Sequence, residues 1–313
     1  MSATKNIKKL AYNPYKLFSL LATKGKMNWV PDYIYLKLMY RARFGRKLNL
    51  NNPITFNEKM QYLKLFDRNK DYTIHVDKYL VRKFVKDTIG EQYLIPLLGV
   101  WNNADEIDFS ALPSSYVLKC NHNSGMGMFI NNGKEKVDKK KVKQELNRGL
   151  EEDYYLHHRE WPYKNVPRKI IAEKYMVDES GYELKDYKIF TFSGKAYCIQ
   201  VDYDRFVDHH RNFYDLEWNY IPFTTLYPTN QRHIIEKPSC LDELIKCAEK
   251  IAEAAGKPSF LRVDFYVIGN SILFGEMTYF HGSGYEQFYP EEYDYKLGSL
   301  IDIDKCEIRR NAK

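Results

Sequence analysis

Three charged residues interrupt an otherwise apolar stretch near the C-terminus, residues 261–278. Arg262, Asp264 and Glu276 lie in two runs rich in β-branched and aromatic residues, separated by a Gly-Asn-Ser turn. This pattern predicts a β-hairpin with at least one buried face. A buried acid is costly unless it is paired with a cation or binds a metal. The stretch therefore predicts either a Mg²⁺ site at Asp264 and Glu276, since this ion prefers oxygen ligands, or a structural ion pair with Arg262.

The length of the hairpin loop decides whether the two acids can share a metal. Opposite residues in antiparallel strands share a face, and faces alternate along each strand. A two-residue loop at Gly269-Asn270 would place Glu276 opposite Val263, on the other face from Asp264. We therefore predict a three-residue loop, or an equivalent bulge, that places Asp264 directly opposite Glu276.

Two further groups of residues could line a ligand site. Lys119 ends a predicted strand and precedes a glycine-bearing loop at residues 121–128, where backbone N–H groups could approach phosphate oxygens. Asp186 and Lys188 alternate on one face of a second predicted hairpin and suggest a charged cleft. The alternatives are a turn without a ligand and a surface-exposed strand face. The sequence contains no G-x-x-x-x-G-K-[ST], so it is not a P-loop NTPase.

Other motifs carry less weight. D-x-D triplets occur at residues 202–204 and 302–304, and such a triplet would hold the metal of a nucleotide sugar in a glycosyltransferase. Its occurrence twice shows how easily so short a motif arises. Adjacent histidines at 157–158 and 209–210 are poor candidates for a shared metal, because neighbouring side chains on a helix or strand point in different directions.

Predicted helices and strands position these residues. Helical spacing predicts helices at residues 7–21, 31–43, 55–66 and 78–87, the third with a Thr55–Glu58 capping box and the fourth capped by Asp77. After Gly90 strand patterns predominate. Strands are predicted at residues 93–101, 115–120, 129–130, 169–176, 185–192, 195–201 and in the hairpin at 261–278, with helices at 134–143 and 240–255.

Composition sets the broad class of the protein. The 313 residues are 44% hydrophobic and 15% aromatic, so a sizeable core and more than one lobe are expected. Five scattered cysteines without C-x-x-C spacing fit a reducing compartment. The N-terminus shows no signal-peptide pattern, and the apolar runs are too short for a membrane span. We expect a cytoplasmic protein, either soluble or peripheral to a membrane.

The formal charge of +7 is concentrated near the N-terminus. Residues 1–50 contain 11 lysines and arginines against one aspartate, a net +10, so the remaining residues sum to −3. This excess would suit an anionic membrane surface or a phosphate-bearing substrate. Solvated helix faces are the plainer interpretation.

In chain order, these residues resemble the ATP-grasp superfamily, and more closely the TupA-like ATP-grasp family. The resemblance covers about residues 30–300, and the order of the motifs carries it better than any single motif. The matching segments are Asp77-Lys78, Lys119 with residues 121–128, residues 170–175, Asp186-Tyr187-Lys188, Phe213-Tyr214-Asp215, Trp218, Arg262-Val263-Asp264 and Gly275-Glu276-Met277-Thr278.

The resemblance implies an α+β protein with the ATP-grasp fold, in which two α+β lobes clamp ATP after an N-terminal helical region. The boundaries that follow are residues 1–72 for the basic N-terminal helical region, 73–172 for the N-terminal lobe and 173–313 for the C-terminal lobe. The implied cofactors are ATP and Mg²⁺.

The resemblance also implies roles for single residues. Asp264 and Glu276 would bind Mg²⁺, and Lys188 and Arg262 would act as catalytic cations. Many ATP-grasp enzymes have Glu-x-Asn where this chain has Glu276-Met277-Thr278, and a threonine hydroxyl is a weaker ligand, which weakens the case for a second metal ion. Glu173 would sit with the following backbone against adenine and ribose. ATP would be bound by Lys119, Ser124, Gly125, Gly127, Glu173, Lys174, Tyr175 and Asp186.

The reaction implied by the resemblance joins a carboxylate to an amine through an acyl phosphate. TupA-like members are associated with cell-surface polymers and capsular polysaccharides, so we expect an amino acid to be attached to a uronic acid or peptide. The alternatives are an ATP-dependent sugar phosphotransferase, a glycosyltransferase and a non-catalytic membrane-surface scaffold. The expected partners are small-molecule or sugar carboxylates and amines, with a membrane surface or lipid-linked substrate as a further option and no nucleic acid.

Overall fold

The structure is a computed structural model that describes residues 13–133, 136–181, 183–205, 207–233 and 235–306. The chain forms two compact units. The first, here called the helical unit, comprises Met1–Asn69, Tyr155–Trp161 and Phe280–Lys313. The second, here called the sheet unit, comprises Lys70–Tyr154 and Pro162–Tyr279. The residues Phe280–Lys313 belong to the helical unit, and the lobe boundaries drawn from the family resemblance stay a prediction.

The secondary structure mixes helices with antiparallel strands. The helices are α1 (Pro14–Thr23), α2 (Asp32–Phe44), α3 (Phe56–Phe66), α4 (Tyr72–Val76), α5 (Val81–Thr88), α6 (Lys139–Glu151), α7 (Tyr155–His158), α8 (Leu241–Ala254) and α9 (Glu292–Ser299). The strands are β1 (Leu97–Trp101), β2 (Tyr116–Cys120), β3 (Met128–Asn131), β4 (Ile170–Lys174), β5 (Asp186–Phe192), β6 (Lys195–Tyr203), β7 (His210–Tyr214), β8 (Tyr220–Ile221), β9 (Leu261–Ile268) and β10 (Ser271–Thr278).

The helical unit is built from amphipathic helices around an aromatic core. Tyr35, Leu36, Met39 and Tyr40 of α2 form most of this buried cluster. Helix α3 begins with the predicted capping box, in which the Thr55 hydroxyl accepts the Glu58 N–H at 3.2 Å and Glu58 Oε2 accepts the Thr55 N–H at 3.3 Å. The predicted helices at 31–43 and 55–66 are confirmed. The predicted helix at 7–21 lies partly outside the described residues, and its described part belongs to α1.

The sheet unit contains two antiparallel sheets. One has four strands in the order β1-β4-β2-β3, and the other has six in the order β10-β9-β5-β6-β7-β8. Val142 and Leu146 of α6 belong to the core cluster of the first sheet, and α8 packs against β5, β6 and β9 of the second. The α+β class is confirmed. Strands β7 and β8 were not predicted, and the predicted strand at 93–101 is shorter, beginning at Leu97.

Two predicted helices start later than expected. The helix predicted at 78–87 is α5, which begins at Val81. Asp77 Oδ1 instead accepts the N–H groups of Tyr79 at 2.8 Å and Leu80 at 3.2 Å and so caps the turn before this helix. The helix predicted at 134–143 is α6, which begins at Lys139, and residues 134 and 135 lie outside the described residues. Within the described part of the chain, no helix is long and apolar enough to cross a membrane.

The β9–β10 hairpin has the register that the two acids require. Its loop has two residues, with Ile268 opposite Ser271, so the three-residue loop is wrong. A bulge at Gly275 then shifts the pairing by one residue and places Glu276 opposite Asp264. The predicted alternative, an equivalent bulge, is therefore confirmed. Glycine suits this position because a Cβ would lie only 3.1 Å from the Asp264 carbonyl oxygen.

Candidate active site

A row of charged side chains crosses one face of the six-stranded sheet. Paired residues share a face, and Glu276, Asp264 and Lys188 are paired in succession across β10, β9 and β5. Asp186 lies two residues from Lys188 and therefore on the same face, and it is paired with Asp202 on β6. We refer to the following set as the charged row: Glu276, Arg262, Asp264, Lys188, Asp186, Asp202 and Arg211.

Lys188 lies at the centre of the charged row and is buried. Its Nζ is 2.8 Å from Asp264, 3.1 Å from Asp186 and 3.8 Å from Asp202. Burial lowers the pKa of Lys188, but the charges of Asp186 and Asp264 outweigh that effect and raise it above the ordinary value. The lysine is therefore a fixed cation at neutral pH, which suits the stabilisation of a phosphate group.

Arg262 binds both of the predicted metal ligands. Its Nε donates to Asp264 Oδ1 at 2.6 Å, and one terminal nitrogen donates to Asp264 Oδ2 at 2.6 Å, Glu276 Oε1 at 3.2 Å and Thr278 Oγ1 at 3.1 Å. Burial raises the pKa of Asp264, yet Arg262 and Lys188 outweigh it and the net shift is downward. The ion pair that the sequence offered as one interpretation is thus present, and Asp264 is held ionised.

The same residues fit a Mg²⁺ ion as well. Asp264 and Glu276 lie directly opposite each other on one face, and the Glu276 side chain is 36% exposed. No cluster of three or more His, Cys, Asp or Glu side chains suitable for a metal occurs among the described residues. Mg²⁺ is usually held by one or two carboxylates, with waters and substrate phosphates supplying the other ligands. The donor set therefore fits a magnesium that binds together with a nucleotide.

The four-stranded sheet supplies a second group of charges. Lys119 of β2 forms an ion pair with Glu173 of β4, with Nζ 2.6 Å from Oε2, and Arg82 lies 3.4 Å from the other oxygen of Glu173. Glu173 is buried, so its carboxylate fixes both cations. The contact of Glu173 with adenine and ribose stays a prediction. Lys174 is exposed and Tyr175 is half-buried, and the Lys174 N–H donates to the Pro96 carbonyl at 3.0 Å.

The glycine-bearing loop between β2 and β3 has one packed side and one open side. Gly127 has a φ of 65°, and a Cβ there would lie 2.7 Å from Cys120 Sγ and 2.9 Å from Gly149 Cα. Gly125 has a φ of 88°, and a Cβ there would meet no atom within 4 Å. Ser124 and Gly125 are exposed. The loop backbone at Ser124 and Gly125 is therefore the part accessible to a ligand, while Gly127 allows the loop to pack against α6.

Lys78 is a site residue to which the sequence assigned no role. Its N–H donates to the Asn121 carbonyl at 3.1 Å, and its Nζ donates to the Asn123 carbonyl at 2.6 Å, so it holds the start of the glycine-bearing loop. Burial lowers the pKa of Lys78, and Glu276 counteracts this shift. Lys78 therefore lies within the electrostatic reach of the acid predicted to bind metal. Only its place in the Asp77-Lys78 segment of the family pattern could have marked it.

The D-x-D triplet at 202–204 contributes to the site in an unexpected way. The Asp202 carboxylate is held by a basic and an amide side chain. Its Oδ1 is 2.7 Å from Arg211 Nε, and Gln200 donates to the same oxygen at 3.2 Å. Arg211 outweighs the burial that would raise the pKa of Asp202, which lies well below its usual range. Arg205, in the following loop, forms an ion pair with Asp186. The sequence missed Arg211 because β7, the strand that carries it, was not predicted, and it missed Arg205 because this residue lies in the loop after β6.

A family model described as TupA-like ATP-grasp matches residues 58–302. No curated protein matches the chain significantly. Among solved structures, a D-alanine–D-alanine ligase from Bacillus anthracis complexed with ATP is 17% identical, with a TM-score of 0.44 over 77% of this chain and 67% of that one.

Two further solved structures are similar at low sequence identity. The D-alanine–D-alanine ligase from Helicobacter pylori is 15% identical, with a TM-score of 0.43 over 79% of this chain and 69% of that one. The ADP complex of an N5-carboxyaminoimidazole ribonucleotide synthetase is 12% identical, with a TM-score of 0.43 over 66% of this chain and 45% of that one.

Proposed function

The chain belongs to the TupA-like ATP-grasp family, and we propose that it joins an amino acid to a uronic acid or related cell-surface polysaccharide precursor. As a member of the ATP-grasp carboxylate–amine ligase superfamily it is an ATP-dependent ligase that uses ATP and Mg²⁺. The observation that carries the proposal for the site is the charged row, in which Lys188 and Arg262 adjoin the opposed acids Asp264 and Glu276.

The residues of the site are suited to neutralising phosphate charge. Lys119 and the exposed backbone at Ser124 and Gly125 would bind the nucleotide phosphates from the four-stranded sheet. Lys188 and Arg262 would do so from the six-stranded sheet. Asp264 and Glu276 would hold Mg²⁺, which when bound would screen the negative charge of the phosphates. The charged side chains among these groups are fixed by ion pairs, so little reorganisation is needed at the moment of reaction.

The proposed reaction has two steps. In the first, an oxygen of the substrate carboxylate attacks the γ-phosphorus of ATP, the bond to the bridging oxygen breaks, and ADP leaves. In the second, the amine nitrogen attacks the acyl carbon, the C–O bond to phosphate breaks, and the amine loses a proton to give the amide. Phosphate leaves carrying one oxygen that came from the carboxylate. Lys188 and Arg262 would stabilise the charge that moves onto phosphate oxygens in both steps.

The class of substrate is proposed from the family. TupA-like enzymes are associated with cell-surface polymers. This association supports an acidic sugar as the substrate to which the amino acid is joined. The kinase alternative uses the same nucleotide site but transfers phosphate to a sugar hydroxyl. The glycosyltransferase alternative loses support, because the chain belongs to the TupA-like ATP-grasp family.

The test is an ADP-release screen in which amino acids are crossed with uronic acids in the presence of Mg-ATP. The ligase proposal expects ADP and phosphate only when an amine and a carboxylate are both present, with an amide product in the mass spectrum. ADP release with a sugar alone, without free phosphate, would instead identify a kinase.

Peripheral contact with a membrane or a lipid-linked substrate is part of the same proposal. Its support is the charge of +10 on residues 1–50, of which residues 1–12 lie outside the described residues. A polybasic segment attracts anionic lipid headgroups over about a Debye length.

A further inference from the structure

The helical unit contains a buried lysine that lies outside the charged row. Lys64 of α3 is 1% exposed. Its ammonium donates to Gln61 Oε1 at 3.2 Å, to the His158 carbonyl at 2.9 Å and to the Ser283 carbonyl at 2.7 Å. The ring of Tyr285 lies 4.6 Å from Nζ. All three ammonium protons are thus used, by acceptors from the three separate stretches of chain that make up this unit.

One of those stretches is a loop with an uncommon backbone conformation. In His281–Gly284, Gly282, Ser283 and Gly284 have φ values of 52°, 54° and 64°. Ser283 carries a Cβ, and such residues persist in the left-handed region only where their surroundings fix them. Helix α3 supplies this restraint, since Gln61 Nε2 donates to the Ser283 carbonyl at 3.1 Å and to the Gly284 carbonyl at 2.7 Å, beside the bond from Lys64.

The loop follows directly on the strand that carries the predicted metal ligand. Strand β10 ends at Thr278, two residues after Glu276, and the loop begins at His281. Between them, Tyr279 stacks on Tyr72 with ring centroids 3.6 Å apart, and its hydroxyl lies 2.5 Å from His75 Nδ1. The chain beyond Glu276 is therefore fixed at Tyr279 and again at the loop.

Stability alone does not explain an ammonium at this position. The charges of Glu160 and Asp32 attract the Lys64 ammonium, but they do not offset the effect of its burial, which lowers its pKa. Burying a charge is costly, and an apolar side chain of similar length is often neutral or stabilising in such a place. What the ammonium provides, and a methionine would not, is three directed hydrogen bonds to backbone and side-chain carbonyls.

We propose that Lys64 is a positioning residue for the ligase reaction: its ammonium fixes the His281–Gly284 loop in the conformation needed for turnover and takes no part in ATP binding. This inference rests on the ligase activity proposed above.

The protonation of Lys64 gives the proposal a pH signature. Burial lowers its pKa to about 7, against the opposing charges of Glu160 and Asp32. Further titratable or charged groups near this cluster are His157, His158, Arg43, Arg159, Tyr35 and Tyr285. A neutral amine has two protons for three carbonyl acceptors. The hydrogen bonding of Lys64 to the loop therefore weakens as pH rises above about 7.

The effect on stability has the opposite sign. The pKa of Lys64 is lower in the folded protein than its ordinary value of 10.5, so the unfolded chain binds more protons between these pH values. The contribution of Lys64 to the free energy of unfolding therefore increases with pH in that window. If Lys64 only stabilised the fold, turnover would not decrease over the pH range in which its contribution to the free energy of unfolding increases.

The experiment compares Lys64→Met and Lys64→Arg with a matched control, Lys59→Met. Lys59 lies in the same helix, and its Nζ donates to a single carbonyl, that of Ile301, at 2.8 Å. Three quantities are measured: hydrogen exchange of the backbone amides at residues 280–286, the Kd of Mg-ATP, and kcat with a responding substrate pair at pH 6.5 and 8.5.

For Lys64→Met we expect exchange in the loop to be at least about tenfold faster and kcat to fall at least about thirtyfold, with the Kd of Mg-ATP within about twofold. Lys59→Met should change none of these by more than about threefold. Lys64→Arg keeps its charge at both pH values, so its kcat should not show the decline between pH 6.5 and 8.5 expected of the wild type.

Unchanged exchange in the loop of Lys64→Met, or a kcat within about threefold of the wild type, would overturn the proposal. If Lys64→Met does not fold, the wild-type protein still decides: a kcat that does not fall between pH 6.5 and 8.5, with loop exchange corrected for its intrinsic rate also constant, would refute it. If no substrate pair responds, the ligase proposal fails separately, and loop exchange still shows whether Lys64 holds the loop.

Discussion

Replacing Lys188 by methionine removes the central cation of the charged row while keeping the length of the side chain. At an effective dielectric constant of about 20, the attraction of Lys188 to Asp264 at 2.8 Å is about 6 kcal/mol, and that to Asp186 at 3.1 Å is about 5 kcal/mol. Most of this attraction is offset by the free-energy cost of burying the ammonium. Loss of one partner of a buried ion pair typically costs about 3 to 5 kcal/mol of stability.

The expected loss of stability lies at the low end of that range. Each acid that contacts Lys188 keeps an arginine: Asp264 keeps Arg262, Asp186 keeps Arg205, and Asp202 keeps Arg211. We therefore expect Lys188→Met to fold and to lose about 3 kcal/mol in the free energy of unfolding, measured by urea denaturation. Turnover should fall at least about a hundredfold, because a fixed charge on the transferring phosphate is lost.

Lys185→Met is the matched control. Lys185 lies three residues away and pairs with Asp178 at 2.8 Å and Glu183 at 3.4 Å, outside the charged row. Its removal should leave turnover within about threefold of the wild type. The reasoning is refuted if Lys188→Met retains near-normal ADP release with a responding substrate pair, or if the two variants lose activity equally.

Two other predictions concern the glycine-bearing loop and the N-terminus. Gly127→Ala should destabilise the protein by about 2 to 4 kcal/mol in urea denaturation, because the new Cβ meets Cys120 and Gly149, whereas Gly125→Ala should cost about 1 kcal/mol, the penalty of its left-handed backbone; equal losses would contradict this distinction. Deleting residues 1–24 should weaken co-sedimentation with anionic vesicles, and the binding of the full chain should decrease with salt; vesicle binding that ignores salt would remove its electrostatic basis.

The β9–β10 hairpin shows both the reach and the limit of sequence reasoning. The spacing of Asp264 and Glu276 required a one-residue shift in register, and the structure contains that shift. It arises from a bulge at Gly275 and not from a longer loop. Alternation of apolar and polar residues determines which side chains must share a face. It does not determine where the extra residue is placed, because a two-residue turn with a bulge and a three-residue turn satisfy the same pattern.

Contacts between distant parts of the chain were the hardest to anticipate. Lys64 lies in a predicted helix, yet its ammonium binds carbonyls that lie 94 and 219 positions further along the chain. Arg211 pairs with Asp202 only because β6 and β7 are neighbours in the sheet. Local spacing predicted the helix that carries Lys64 but not the strand that carries Arg211, and the partners of both side chains depend on how the elements assemble.

The central claim is that this site activates a carboxylate as an acyl phosphate, and transfer of isotopic oxygen tests it most directly. The responding carboxylate substrate is labelled with ¹⁸O and incubated with the enzyme, Mg-ATP and the amine, and the released phosphate is examined by mass spectrometry. The proposed mechanism predicts that each turnover transfers one ¹⁸O atom from the carboxylate to inorganic phosphate. Phosphate that carries no label, or phosphate found on a sugar hydroxyl, would contradict the ligase assignment.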